Sequence, residues 1–287
     1  MSVDPKAVEE REGPATATAR YEGAVREKSL RDQARTGKTF TLKINRGDEG
    51  DRVGRWQAYE VELASGMVVL DAVLSVQAHQ EPELAVRWNC KAAKCGSCSA
   101  EVNGRPRLMC KTRVEDFKLD EPLLVQPMQT FRRIKDLVTD VSWNYRVNEK
   151  ITPFKPRTDR PWVFYQHDVE RAQEMRKCIE CFLCQDVCHV IRYATEDKPQ
   201  FFGPRYFVRS AGLDFHPMDA EDRVGQLKGK GGIGLCNITK CCTEVCPEHI
   251  HITDNAIIPE KERAVDAFSD PLRALLRGGS RKGSSGS

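Results

Sequence analysis

The chain has 287 residues, of which 40% are hydrophobic and 30% are charged, as in an ordinary globular protein. Its 45 basic and 42 acidic residues leave a net charge of +3, which is too balanced to indicate nucleic-acid binding. Apolar runs extend over only a few residues, whereas a membrane span needs about 20, so no transmembrane helix is predicted. The first residues show no secretory signal, so we expect a reducing compartment, which favours metal chemistry over disulfides for the twelve cysteines.

The pattern of the sequence predicts four segments in an α+β protein. Residues 1–36 are charged and poor in large apolar residues, which indicates a polar, flexible N-terminal arm. A strand-rich domain is predicted over 37–140 and a mainly helical domain over 141–272. The Gly- and Ser-rich residues 273–287 are expected to form a flexible tail.

The first domain begins with an alternation of apolar and polar residues that is typical of strands with one buried face. Strands are predicted around 40–44 and 59–63, followed by a helix over 70–77. Asn103 and Gly104 form the dipeptide favoured in tight hairpins, and residues 123–125 predict a further short strand. Two strands, a helix, a hairpin and a last strand together predict a β-grasp of the plant-type ferredoxin kind.

The second domain is predicted to be all-α and to resemble a bacterial ferredoxin. Residues 131–143 are expected to form the connector to it. Asp168 is a candidate N-cap for a helix that leads to the second group of cysteines. Another helix is expected over 217–227, and Pro259 suits the first position of a last helix.

Cys90, Cys95, Cys98 and Cys110 form the first group of cysteines. The spacing C-x4-C-x2-C, with a fourth cysteine further on, is that of plant-type [2Fe–2S] proteins. Gly96 lacks a side chain where we expect the loop backbone to approach the cluster. This group therefore predicts a [2Fe–2S] cluster in the first domain.

The second group has the spacing C-x2-C-x2-C-x3-C of bacterial ferredoxins, in which the fourth cysteine binds a different cluster from the first three. A third group ends at Cys246 and Pro247 and repeats this spacing, with Thr239 at the position of the second cysteine. Exchange of the fourth cysteines predicts a [4Fe–4S] cluster on Cys178, Cys181, Cys184 and Cys246. The remaining three thiolates favour a [3Fe–4S] cluster on Cys188, Cys236 and Cys242.

Two alternatives to this set of ligands remain open. Cys241 lies next to Cys242 and would complete a second [4Fe–4S] cluster as a ligand, but adjacent side chains usually diverge, which favours a buried or supporting role. Structural zinc on paired cysteines would make the chain an interaction module without redox activity. Four cysteines within residues 178–188 suit a cluster better than zinc. No nucleophile–base set or carboxylate pair stands out, so no catalytic residue is predicted.

The three cysteine groups, in this order, closely resemble those of the iron–sulfur subunits of succinate dehydrogenases and fumarate reductases. The resemblance covers about residues 39–270, and the segments 87–90 and 241–246 look most like the actinobacterial type. It implies electron transfer in respiratory complex II, within the tricarboxylic acid cycle. A separate flavoprotein subunit would oxidise succinate at FAD, and electrons would pass through the [2Fe–2S], [4Fe–4S] and [3Fe–4S] clusters to a quinone.

The resemblance also implies partners and a location. The β-grasp half would dock on the flavoprotein and the helical half on membrane anchor subunits, which would hold the chain on the cytoplasmic face of the plasma membrane. Menaquinone is the quinone implied by the actinobacterial resemblance. His189, Tyr193 and Asn237 differ from the Pro, Trp and His that are common in relatives near the quinone. We expect these three residues to border the quinone pocket.

The same parts suit two related functions. A fumarate reductase would use the same clusters, because the potentials of the partners decide the direction of electron flow. The iron–sulfur subunit of another flavin dehydrogenase is a further alternative, although such modules usually carry two complete four-cysteine sets.

Overall fold

The computed structural model describes residues 35–51, 53–193 and 201–269. The predicted N-terminal arm up to residue 34 and the predicted tail at 273–287 lie outside these ranges, so both stay predictions. Within the three ranges, no helix is long and apolar enough to cross a membrane.

A five-stranded mixed sheet forms the first half of the molecule, with the strand order β2-β1-β5-β3-β4. The strands are β1 (Arg35–Arg46), β2 (Arg55–Ala64), β3 (Ser99–Val102), β4 (Arg105–Leu108) and β5 (Leu123–Gln126). β1 runs antiparallel to β2 and parallel to β5, and β3 runs antiparallel to both β4 and β5. The last strand of the sheet therefore lies beside the first.

Alternation along β1 gives this sheet its buried face. Phe40, Leu42 and Ile44 are buried, and helix α1 (Val69–His79) contributes its apolar side chains to the same core. Burial of side chains of this size contributes about 1.5–3 kcal/mol each. The periodicity of the sequence predicted both the strand and the helix correctly.

The hairpin between β3 and β4 turns at Asn103 and Gly104, whose φ angles of 48° and 74° are left-handed. Type I′ turns need this conformation at both central residues, and Asn and Gly tolerate it best. The hairpin brings Cys98, just before β3, to Cys110, just after β4, so that the N–H of Cys110 donates to Cys98 Sγ at 3.4 Å.

The connector at 131–143 contains structure that the sequence analysis missed. It forms a short hairpin of β6 (Arg133–Lys135) and β7 (Val138–Thr139). Asp136 at its turn is buried, and its carboxylate accepts a hydrogen bond from Arg46 Nε at 2.7 Å. A hairpin held by polar side chains leaves no hydrophobic pattern to detect.

Short helices form the second half, as predicted. They are α2 (Ser142–Asn148), α3 (Gln166–Arg176), α4 (Leu183–Asp186), α5 (His189–Arg192), α6 (Pro204–Asp214), α7 (Val224–Lys228), α8 (Cys241–Glu244) and α9 (Ile258–Ser269), with a π-helical stretch at Ile252–Ile257 before α9. Pro259 lies in the first turn of α9. Phe202, Tyr206 and Phe207 form the centre of the core between these helices.

Two helix predictions need correction. Asp168 is not the N-cap of α3 but lies in its first turn, where its carboxylate accepts a hydrogen bond from the N–H of Tyr165 at 3.3 Å. The helix expected over 217–227 is reduced to the short α7. Asp219 instead accepts a hydrogen bond from the N–H of Lys155 at 3.1 Å, which holds the preceding turn outside the helix.

Candidate iron–sulfur centres

The loop that carries the first group of cysteines curls around Cys90. The backbone N–H groups of Ala92 and Lys94 donate to its sulfur at 3.3 and 3.4 Å. Lys91 and Ala93 adopt left-handed φ angles of 52° and 55°, which are uncommon for residues other than glycine. The alternating backbone turns these two N–H groups towards one sulfur, and such hydrogen bonds stabilise a thiolate.

The other three cysteines of the first group lie at the same end of the sheet in contrasting environments. Burial raises the pKa of Cys98 to about 12. At Cys95 burial acts in the same direction, but hydrogen bonds from Ser97 and Cys90 outweigh it and lower the pKa to about 7. Cys110 completes the set through its contact with Cys98. The structure thus brings together the four cysteines that the spacing assigned to a [2Fe–2S] cluster.

A cavity in the helical half is bounded by four cysteines from two distant runs of the chain. They are Cys178, Cys181, Cys184 and Cys246. Most of the remaining wall is apolar and includes Phe182, Val208 and Ile250. Burial raises the pKa of Cys181 to about 12 and that of Cys184 well above its usual range. These are the four residues that the sequence predicts as [4Fe–4S] ligands.

Ion pairs fix the loop that carries three of these cysteines. Glu180 and Phe182 adopt left-handed φ angles of 58° and 60° between the cysteines. The carboxylate of Glu180 pairs with both Arg205 and Arg209 on α6. The loop is therefore tied to α6 by ion pairs, which help to hold its cysteines in place.

Cys188, Cys236 and Cys242 form the third group. Burial raises the pKa of Cys188 and of Cys242 to about 11, and the three thiols interact electrostatically with one another. Thr239, at the position of the missing cysteine, has its hydroxyl 3.3 Å from the sulfur of Cys241. Cys241 is half-buried, and its thiol interacts electrostatically with those of Cys188 and Cys242.

The first and second groups touch through their backbones. A Cβ on Gly96 would lie 2.6 Å from the Cα of Cys181, so this contact requires the glycine, whereas the sequence analysis attributed it to the approach of a cluster. Ser99 Oγ lies 2.8 Å from the carbonyl oxygens of both residues. Lys94 Nζ adds an ion pair with Glu248 at 3.2 Å. The loops that carry the first and second groups of cysteines therefore pack directly against each other.

The second and third groups are also neighbours. Helix α4, which carries Cys184, packs against α8, which carries Cys242. After burial and the thiols of Cys181 and Cys178, the thiol of Cys242 contributes to the raised pKa of Cys184. The three groups therefore follow one another in space in the order first, second, third.

The donor sets fit iron–sulfur clusters. Buried thiols with raised pKa values repel one another once ionised, whereas bound iron supplies the positive charge that deprotonates a coordinating thiol. In the part of the chain that the structure describes, no group of three or more His, Cys, Asp or Glu side chains is arranged to hold a single metal ion. The cysteines of the second site instead enclose a cavity, which is the arrangement that a polynuclear cluster needs.

Comparison with known proteins identifies both halves. Residues 41–145 match the model of a 2Fe–2S iron–sulfur cluster binding domain, and residues 174–250 match that of a 4Fe–4S dicluster domain. The chain is 32% identical to the fumarate reductase iron–sulfur subunit of Mycobacterium tuberculosis over 203 residues, which cover 68% of this chain and 80% of that protein. The chain belongs to the family of succinate dehydrogenase and fumarate reductase iron–sulfur subunits.

Two further proteins are similar to the chain over longer spans. The succinate dehydrogenase iron–sulfur subunit of Bacillus subtilis is 25% identical across 80% of this chain and 95% of its own length. A chain of the Mycobacterium smegmatis Sdh1 complex in the apo form is 55% identical, with a TM-score of 0.78, and the match covers 82% of this chain and 98% of that chain. Relatives carry both names, so family membership does not distinguish succinate oxidation from fumarate reduction.

A cavity of about 770 Å³ lies beside the third group of cysteines in this iron–sulfur subunit. His189, Tyr193 and Asn237, the three residues expected at a quinone pocket, all line it. The rest of the wall, which includes Trp143 and Lys150, was not predicted, because these residues belong to no recognisable motif. The aromatic wall and its few charged side chains suit a ligand that is largely apolar.

Proposed function

We propose that the chain is the electron-transfer subunit of a succinate:quinone oxidoreductase. The observation that carries the proposal is that the first group of cysteines contacts the second and the second contacts the third. The third group lies beside the cavity that is lined by His189, Tyr193 and Asn237. When bound, the clusters supply one-electron carriers between the FAD of a flavoprotein subunit and a membrane quinone. The polypeptide holds these carriers in series and keeps water away from them.

The proposed ligands follow the three groups. The [2Fe–2S] cluster would be held by Cys90, Cys95, Cys98 and Cys110, the [4Fe–4S] cluster by Cys178, Cys181, Cys184 and Cys246, and the [3Fe–4S] cluster by Cys188, Cys236 and Cys242. The surroundings of the sulfurs differ between sites, since backbone N–H groups surround Cys90 and apolar side chains surround Cys184. Hydrogen bonding and burial both tune cluster potentials, so the chain itself gives each carrier a different potential.

The quinone is proposed to bind in the 770 Å³ cavity. His189 and Asn237 directly follow Cys188 and Cys236 in the sequence, so a quinone between them would lie next to the last carrier. Replacing His189, Asn237 and Tyr193 one at a time should lower quinone reduction while leaving succinate oxidation with an artificial acceptor unchanged. Unchanged quinone reduction in all three variants would remove this pocket from the proposal.

The partners and the location follow from the same arrangement. The sheet half is proposed to dock on a FAD-containing flavoprotein, and the helical half on membrane anchor subunits at the cytoplasmic face of the plasma membrane. The similar chain from Mycobacterium smegmatis is part of an Sdh1 complex. The cavity that we assign to the quinone, menaquinone in this proposal, is lined mainly by residues of the helical half. Co-purification of a flavoprotein that oxidises succinate tests this assembly.

A fumarate reductase is the second candidate, because the similar chain from Mycobacterium tuberculosis carries that name. The direction is decided by rates measured on the purified complex with succinate plus quinone and with fumarate plus quinol. A faster succinate-driven reaction supports our proposal, and a faster fumarate-driven reaction supports the alternative.

Low-temperature electron paramagnetic resonance (EPR) of the intact complex is the decisive test of the cluster set. We expect a [3Fe–4S] signal in the oxidised protein and a [2Fe–2S] signal after reduction with succinate. Anaerobically prepared protein without iron or acid-labile sulfide would contradict the proposal and leave zinc as the alternative.

A further inference from the structure

Two side chains meet at the position where a fourth cysteine of the third centre would stand. Thr239 replaces that cysteine in the spacing, and its Oγ1 lies 3.3 Å from the Sγ of Cys241. Cys241 is half-buried and directly precedes Cys242 on α8. The thiol of Cys241 therefore contacts Thr239, the residue that occupies the position of the missing cysteine.

Cys241 also belongs electrostatically to the group of three proposed ligands. The thiol of Cys241 lies close enough to that of Cys188 to interact with it electrostatically. It also interacts with the thiol of Cys242, its neighbour in the chain. Cys188 is far from Cys241 in the sequence, so their thiols interact because the fold brings them close together. Four thiols therefore surround a centre to which the spacing assigns three.

We propose that Cys241 is a fourth thiolate ligand with which the third centre takes up one additional Fe²⁺ ion, changing from a [3Fe–4S] to a [4Fe–4S] form. The inference rests on the proposed function, because it presupposes the centre with three thiolates. The Cys241 thiol gives its proton to water, and the added Fe²⁺ releases its water ligands as it bonds to the Cys241 sulfur and to three sulfides of the core. The one-electron-reduced [3Fe–4S]⁰ core then becomes [4Fe–4S]²⁺ with no electron from another donor.

The chemistry of the two side chains favours Cys241 over Thr239 as the ligand. Thiolate is the soft ligand that iron–sulfur clusters use, whereas a threonine hydroxyl keeps its proton at physiological pH. The partial exposure of Cys241 gives Fe²⁺ a route from solvent without unfolding. Because cluster type helps to set the reduction potential, iron uptake here changes the potential of the last carrier before the proposed quinone cavity.

The test is spectroscopic and uses the complete complex, prepared anaerobically with its clusters. Wild-type, Cys241→Ala and Thr239→Val complexes are reduced, incubated with excess Fe²⁺, desalted and reoxidised mildly. EPR follows the oxidised [3Fe–4S] signal, and Mössbauer spectroscopy counts [4Fe–4S]²⁺ clusters. We expect wild type and Thr239→Val to lose most of the [3Fe–4S] signal and to gain [4Fe–4S]²⁺, whereas Cys241→Ala keeps the signal.

Two results overturn the proposal. One is an unchanged [3Fe–4S] signal in wild type after iron addition, and the other is equal conversion in Cys241→Ala. The [2Fe–2S] signal of the same samples reports whether each variant has folded, and Cys241→Ser replaces the alanine variant where alanine prevents assembly. A wild-type complex with neither a [3Fe–4S] signal nor a second [4Fe–4S] cluster contradicts the proposed function instead, so the two failures are distinguishable.

Discussion

The two halves of the molecule hold their cysteines in opposite ways. In the sheet half all four lie in one stretch from Cys90 to Cys110, and backbone N–H groups of that stretch already turn towards the sulfurs. In the helical half each centre takes cysteines from two runs, at 178–188 and 236–246, and most of these thiols belong to a buried hydrophobic core. Local chain geometry therefore shapes the first centre, and tertiary packing shapes the other two.

This difference indicates where metal contributes most to stability. The sheet half has an apolar core of strand and helix side chains beside its cysteine loop. Several helices of the other half are only four or five residues long, and helices of that length are not stable alone. Loss of metal there leaves a cavity and unpartnered buried thiols inside the core. Metal binding should therefore be linked to folding mainly in the helical half.

Removal of iron is the strongest test of this difference between the two halves. Chelation under anaerobic, reducing conditions is expected to unfold the helical half while the sheet half persists. Hydrogen exchange measured by mass spectrometry should show protection of α3 and α6 falling about 100-fold or more, which corresponds to about 3 kcal/mol, with far smaller changes in β1 and β2. Reconstitution with iron and sulfide is the control. Equal loss of protection in both halves would refute the link to the helical half.

Single cysteine replacements sharpen the same comparison. Cys110→Ser is expected to remove only the [2Fe–2S] signal, because that centre is built from one local stretch. Cys246→Ser is expected to disturb both helical centres and to lower the yield of folded complex several-fold, because Cys246 joins the two distant runs. EPR of each centre, together with the yield, measures both effects. An intact third centre and a normal yield in Cys246→Ser would mean that the helical centres form independently.

The contact between the halves depends on Gly96. A Cβ there would lie 2.6 Å from the Cα of Cys181, at a left-handed φ of +69°. We expect Gly96→Ala to lower the free energy of unfolding by about 3 kcal/mol, through backbone strain plus overpacking. Gly104→Ala is the matched control, because Gly104 has a φ of +74° but nothing within 4 Å, so only strain of about 1 kcal/mol applies. Calorimetry of the cluster-loaded protein compares the two, and equal losses would rule out a role for this contact.

The sequence predicted which cysteines the structure brings together, because the exchange of the fourth cysteine is encoded in the spacing itself. It did not predict that Cys241 lies against Thr239, since this depends on the left-handed Lys240, with a φ of 63°, just before α8. The contact of Gly96 with Cys181 was equally hidden, because it joins loops that lie far apart in the sequence. Periodicity finds elements with a buried face, whereas contacts between loops leave no periodic signal. The ligand assignments themselves stay predictions.

The smallest expected effect concerns Glu260, which is 0% exposed in the first turn of α9. Burial, followed by the nearby carboxylate of Asp214, raises its pKa from 4.5 to about 8, and Arg263 only partly compensates from 3.3 Å. The folded state therefore holds this proton more tightly than the unfolded chain does. Its contribution to stability is present below the unfolded pKa and is lost as the pH rises through the folded one.

Glu260→Gln removes this titration, so the variant should lose less stability than wild type between about pH 7 and about pH 8, by about 1 kcal/mol. Glu262→Gln is the control, because Glu262 is exposed on the same helix. Thermal unfolding of the cluster-loaded protein at both pH values measures the difference. The same pH dependence in wild type and Glu260→Gln would show that Glu260 is ionised throughout. Since Glu260 lies in the helical half, the shift should appear in the unfolding transition of that half and leave the transition of the sheet half unchanged.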